Sequence, residues 1–199
     1  MTSLRKKRIK TVMKYTWPFY IVSAIIVGLL LNFIFGITHR TPVYKTLTLF
    51  VSGEVEDSNK LEDYLVNKYQ DKELKSVSVI SASVNDSTYN TRLSVAGYNS
   101  SDILIIPSSK LDSVTVSAFA LELEEGLINT YYQGYTIYEQ QDVKYGIKIN
   151  KEIVKEYMSL PNEDCYMVLN AKSETIGEYS SSQIKERDLS LQVVKDWGM

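Results

Sequence analysis

The chain has 199 residues and a formal net charge of -2. Its one histidine (His39) and one cysteine (Cys165) exclude Ser-His-Asp or Cys-His catalysis in the C-terminal part, a His/Cys zinc site and an intrachain disulfide. The charge is divided along the chain: residues 1–16 carry six basic side chains (Arg5, Lys6, Lys7, Arg8, Lys10, Lys14) and no acid, whereas residues 41–199 carry 15 basic against 24 acidic, a net of -9 that disfavours nucleic acid.

The first element after the basic tail (1–16) is Trp17 to Ile37, 21 residues without a charge. As a helix rising about 1.5 Å per residue it reaches roughly 30 Å, the thickness of a bilayer core. Pro18 is expected in its first turn, and Tyr15, Trp17 and Tyr20 suit the interface. The run is longer than a cleavable signal's apolar region and ends in Phe-Gly-Ile-Thr-His-Arg, so a retained signal anchor is expected. Six basic residues before the span place the N-terminus in the cytoplasm and the C-terminal domain outside a cell membrane crossed once. The lipid bilayer is thus the first expected partner.

A linker (38–44) leads to a domain over 45–199, long enough to bury its own core. Lys45–Ser52 reads as a strand with neither face strongly polar, which predicts a central position in a parallel sheet. Asp57 or Ser58 caps a helix whose face is Leu61, Tyr64, Leu65 and Tyr69. A strand over Val77–Ala82, a helix over Thr88–Ala96 ended by Gly97, and a strand over Asp102–Pro107 follow. That alternation predicts an α/β domain with a mixed, mainly parallel sheet flanked by helices. Beyond it, Ser108–Ser113 reads as a helical turn and Tyr135–Ile149 as two strands around Gln140-Gln141-Asp142. Ile153–Met158 reads as a turn of helix, Tyr166–Leu169 as a strand and Leu189–Trp197 as an amphipathic helix.

In order and spacing, LTLFV (Leu47–Val51), Tyr89–Pro107, FALELEEGL (Phe119–Leu127) and DVKYGIKI (Asp142–Ile149) resemble the first lobe of extracellular solute-binding proteins of bacterial transporters, the type II periplasmic-binding-protein fold. Lys148 stands where that family usually has proline. Such proteins are considerably longer and hold ligand between two lobes. Here about 50 residues follow Ile149, enough to finish one lobe but not to build a second. The resemblance implies a truncated, membrane-anchored lobe associated with a transporter or another membrane complex. It places a binding edge in the loops Ser52–Asp57 and Pro107–Leu111, at the C-terminal ends of strands, where open α/β sheets hold ligands. Glu54, Glu56, Ser108 and Ser109 are the candidate ligand or partner contacts there.

Five tyrosines, Tyr131, Tyr132, Tyr135, Tyr138 and Tyr145, fall within fifteen residues. A tyrosine offers a broad apolar face with a polar tip, suited to a sugar or a protein partner, and equally to packing a sheet. Tyr131, Tyr132, Tyr135 and Tyr138 are taken as contact candidates. Glu54, Glu56 and Asp57, and Glu122, Glu124 and Glu125, are acidic groups without the spacing of a calcium loop. Ser182–Lys185 fits S-x-x-K but lacks the companion motifs of serine acyl-enzymes. No phosphate-binding glycine loop is present, and neither metal nor cofactor is expected. Three readings remain open: a non-enzymatic binding or accessory module for a small-molecule or sugar ligand or a membrane complex, an envelope structural or assembly protein, and a carboxylate-dependent surface hydrolase.

Overall fold

In the computed structural model, residues 3–38, 41–42, 45–179 and 188–198 are described; His39 and Ser182–Lys185 lie outside them. The chain forms two compact units, Met1–Arg40 and Thr41–Met199. The first is one helix, α1 (Ser3–Thr38). Its stretch Tyr15–Gly36, 22 residues, is long and apolar enough to cross a membrane, and none of it is buried against protein. Pro18 lies well inside this helix, not in its first turn as expected, because the basic tail is itself helical from Ser3 onward. A proline removes one i to i-4 hydrogen bond there.

The second unit is built on a six-stranded mixed sheet in the order β3-β1-β4-β8-β6-β5. Its strands are β1 (Thr46–Val51), β3 (Ser76–Ser81), β4 (Ile103–Pro107), β5 (Ile137–Gln140), β6 (Val143–Lys148) and β8 (Cys165–Leu169). β1 runs parallel to β3 and β4, and β8 is antiparallel to both β4 and β6. A two-stranded ribbon of β2 (Glu54–Val55) and β7 (Met158–Ser159) lies apart from it.

The pattern of β1 explains its central place. Leu47, Leu49 and Val51 face one layer with Leu61 and Leu65 of α2 (Ser58–Lys68). Phe50 faces the other layer with Tyr89 and Leu93. A strand apolar on both faces must be covered on both. Asp57 caps α2 by accepting from the Asn59 and Lys60 amides at 2.9 and 3.2 Å. The hairpin β5–β6 turns on Gln141 and Asp142, both at positive φ (55° and 64°), the geometry of a two-residue turn that matches strand twist.

Two expectations are corrected. Gly97 does not end its helix: α3 (Tyr89–Arg92) passes through a π turn (Leu93–Gly97) into α4 (Tyr98–Ser100). Gly97 is there for close approach, since a Cβ on it would meet Leu93 Cδ1 at 3.0 Å and Leu104 Cδ2 at 3.2 Å. The turn expected at Ile153–Met158 is α7 (Lys151–Val154), started earlier because Asn150 caps it through the Glu152 amide, while Met158 is already in β7. Gly126 falls inside α6 (Glu125–Tyr131), a helix the sequence does not announce; α5 is Ser108–Leu111 and α8 is Leu189–Gly198.

At the N-terminal end of β4 a buried polar network replaces apolar packing. Asp102 Oδ2 accepts from the Thr48 amide (2.7 Å) and Oδ1 from the Ser173 hydroxyl (2.5 Å). Ser173, Thr175 and Ser190 continue as a hydroxyl chain (2.8 and 2.5 Å) into α8. With the Ser173 proton committed to Asp102, the chain has one direction: Ser190 donates to Thr175 and Thr175 to Ser173. Burial raises the Asp102 carboxyl above its ordinary range, against the lowering effect of the hydrogen bonds it accepts.

Candidate functional site

The C-terminal ends of β1, β3, β4 and β6 lie on one edge of the sheet, and the chain builds its open spaces there. After β1, Ser52 is fully buried and its hydroxyl bonds the Tyr89 hydroxyl at 2.7 Å. Gly53 then passes so close to the β2–β7 ribbon that a Cβ would stand 2.3 Å from the Ser159 carbonyl oxygen. Glu54 and Glu56 are exposed beyond it.

After β4, the sequence-predicted serines are engaged within the protein. Glu163 accepts from Ser109 N (3.0 Å), Ser109 Oγ (2.8 Å) and Ser108 Oγ (3.2 Å). Burial works to raise the Glu163 carboxyl, but these bonds, with the Lys110 charge, hold it below its ordinary value. The same segment is pinned twice more. Lys151 Nζ donates to the Pro161 and Glu163 carbonyls, and Lys148 pairs with Asp164 at 2.7 Å. Residues 159–164 thus form a strap across the edge.

Three open grooves adjoin along this edge. The first, about 470 Å³, is lined by Gly53, Glu54, Ser83–Asn85 and Ser159–Asn162. The second, about 460 Å³, shares Asn162 and continues over Lys148–Glu152, Asp164 and Thr136. The third, about 600 Å³, shares Thr136 and Gly198 and is lined by Asn129–Tyr131, Gln133–Tyr135 and Lys195. Most charges in the second groove are spent internally: Lys148 on Asp164, Lys151 on carbonyls, Glu152 on Lys155. The surface left to a ligand is mainly carboxamide, hydroxyl and tyrosine. Among the described residues no three Asp, Glu, His or Cys side chains converge to hold a metal ion.

The four candidate tyrosines divide by face. Tyr131, Tyr132 and Tyr135 clasp α8, donating to Asp188 Oδ2 (3.1 Å), the Leu191 carbonyl (3.2 Å) and the Lys195 carbonyl (3.1 Å). Tyr69 adds a bond to Asp196 at 2.8 Å. Tyr138 lies in the opposite layer, donating to Asp112 at 2.7 Å and packing on Tyr166. Tyr132 and Tyr138 are buried, so as contact candidates they are corrected to core residues. The alternation of β5 and the end of α6 turn them inward. Tyr131 and Tyr135 are half-buried and line the third groove. Burial, then the Asp188 charge, pushes the Tyr131 phenol up to about 12; burial, then the Asp112 bond, does the same for Tyr138.

Sequence reasoning missed Glu163, Lys151 and Asn162. Glu163 and Asn162 sit in a short polar stretch, PNED, whose only readable signal is a turn. Asp188, just before α8, gathers Lys72 (2.9 Å), Gln192 (3.0 Å) and Tyr131. Burial works to raise its carboxyl, but the bonds from Gln192 and Lys72 and the Lys72 charge lower it overall. Its stabilising effect is therefore present above the ordinary carboxylate range and lost as pH falls through the lowered folded value. Asp188→Asn is expected to cost about 1 kcal/mol at pH 7 for a partly exposed ion pair at a helix start. In urea unfolding of both proteins that deficit should shrink as pH falls from the ordinary carboxylate range through the lowered folded value; a deficit constant with pH would remove the charge from the account.

No protein-family model matches the chain, and no curated protein matches it. A solved structure from work on xylan utilization by the thermophilic bacterium Caldanaerobius polysaccharolyticus aligns with 56% of this chain at 18% identity and a TM-score of 0.31. The aligned part spans 33% of that protein's chain.

Proposed function

We propose that this chain is a non-enzymatic binding module, held by α1 in a cell membrane with its α/β unit outside, and serving a membrane complex such as a transporter. The observation that carries the reading is the run of three adjoining grooves along the C-terminal edge of the sheet, where α/β folds hold ligands. The resemblance, in order and spacing, of Leu47–Val51, Tyr89–Pro107, Phe119–Leu127 and Asp142–Ile149 to the first lobe of solute-binding proteins supports it. So does the charge of the grooves. Their carboxylates are Glu54, Glu152 and Asp164, and the last two are tied to lysines, an arrangement that favours holding a ligand over hydrolysing one. The basic residues before α1 support the orientation.

Two measurements test this reading. Val95 is 64% exposed, whereas Cys165 is buried and its thiol is pushed up to about 11 by burial. In intact cells making the full chain, Val95→Cys should react with a membrane-impermeant maleimide and the parent should not. Labelling only after permeabilisation would reverse the orientation. Purification from gently solubilised membranes should then recover other membrane subunits by mass spectrometry. Recovery of the chain alone would remove the accessory role.

A further inference from the structure

The two edges of the sheet are not alike. β5 is four residues long, carries Glu139 and is broken by a register shift at Tyr138/Glu139, features that discourage further pairing. β3 is six residues, Ser-Val-Ser-Val-Ile-Ser, with no charge, no proline and a continuous register on β1. Such a strand is an open template for another.

The backbone of β3 alternates. The Ala82 amide reaches the Val51 carbonyl, so the even residues bond to β1 and Val77, Val79 and Ser81 turn their amide and carbonyl groups outward. Two of these outward groups are held by side chains from the flanking helices. Glu62 of α2 accepts from the Val77 amide at 3.0 Å, and Arg92 of α3 donates to the Ser81 carbonyl at 3.3 Å. Val79 lies midway between them, with no partner for its outward groups among the described residues.

We propose that β3 pairs antiparallel with β3 of a second copy of this chain, about a two-fold axis through Val79. A residue opposite itself in an antiparallel pair exchanges both backbone bonds, which the outward groups of Val79 allow. The same axis sets Val77 opposite Ser81 of the partner. It therefore brings Glu62 of one copy to Arg92 of the other, and the reverse. Opposite charges meet twice, at the two ends of the pair, and like charges do not meet. Glu62 and Arg92 cover the edge in the single chain and exchange those backbone bonds for each other across the interface, while Val77 and Ser81 bond across the strands. Two sheets become one of twelve strands.

The test uses the full-length chain in membranes and in mild detergent. Mild oxidation should link Val79→Cys into a disulfide dimer, since paired Cα atoms about 5.5 Å apart suit that bond. Val95→Cys, exposed elsewhere, should not link above the parent level. Sedimentation should show a concentration-dependent dimer. Glu62→Arg and Arg92→Glu should each weaken it by about tenfold, and the two together should restore it. Val79→Pro, which removes an outward amide and no bond to β1, should leave a monomer with an unchanged circular dichroism spectrum. A monomer at every concentration, a dimer that survives Val79→Pro, equal cross-linking at Val95→Cys, or cross-linking of Val79→Cys to a different protein would each overturn the proposal. If Val79→Pro fails to fold, the charge reversals decide: a double reversal no better than the single ones overturns it as well.

Discussion

Trp197→Ala is expected to cost about 3–5 kcal/mol, the range for emptying a large aromatic site in a core. Trp197 is fully buried on α8 and joins the cluster of Leu47, Leu49, Ile103 and Met167 on one face of the sheet. Its carbonyl accepts from the Asn150 amide at 2.8 Å, so the helix end is tied to the start of α7 as well as packed. Neighbouring Gly198 leaves little freedom to collapse into the hole, since a Cβ there already meets the Tyr135 ring at 2.8 Å. A domain of this size has a total stability of about 5–15 kcal/mol, so the loss is a large share. Circular dichroism melts of the full chain in detergent should show a midpoint lower by about 8–15 °C. A fall below about 3 °C would mean that α8 is dispensable to the core.

Asp102→Ala is expected to cost about 2–3 kcal/mol, because it leaves the Thr48 amide and the Ser173 hydroxyl without an acceptor in a buried place. Asp102→Asn should cost less. Its oxygen can still accept from Thr48, while its amide forces the hydroxyl chain through Ser173, Thr175 and Ser190 to reverse direction. The two differ again in pH. The folded carboxyl of Asp102 is raised above its unfolded value, so the folded state holds that proton more tightly. Stability from this group falls as pH rises through the window between the two values. Melts of parent and Asp102→Ala compared from pH 7 downward should therefore show the parent's advantage growing on acidification. A gap that shrinks would mean that the carboxylate form is the better fit.

The parallel half of the sheet was legible in the sequence because its signals are local. Neither face of β1 or β4 is strongly polar, and Asp57 caps the helix that follows β1. The position of β8 was not legible. Tyr166–Leu169 reads as a strand but carries nothing that selects β4 and β6 as neighbours over an outer edge. The tyrosines show the same limit. Spacing marked the cluster, but whether a tyrosine faces a groove or a helix depends on α8, some 60 residues further along. The loops after β1 and β4 lie at the C-terminal ends of those strands, as their position in the chain requires, while the occupation of Ser108 and Ser109 by Glu163 depends on a contact across more than 50 residues.

That central β8 sets an order of events in time. As the chain leaves the ribosome, β1, β3 and β4 emerge more than 50 residues before the strand that joins them to the β5–β6 hairpin, and α8 follows later still. Until residues 165–198 have been delivered, the inner side of β4 and the apolar underside of the sheet stay open to water, to proteases and to other unfinished chains. Closure must bring together segments far apart in the chain, and such non-local pairing is slow. The protein is thus most vulnerable during its own production, and a handling factor that shields extended apolar segments would matter more to its yield than to its finished stability.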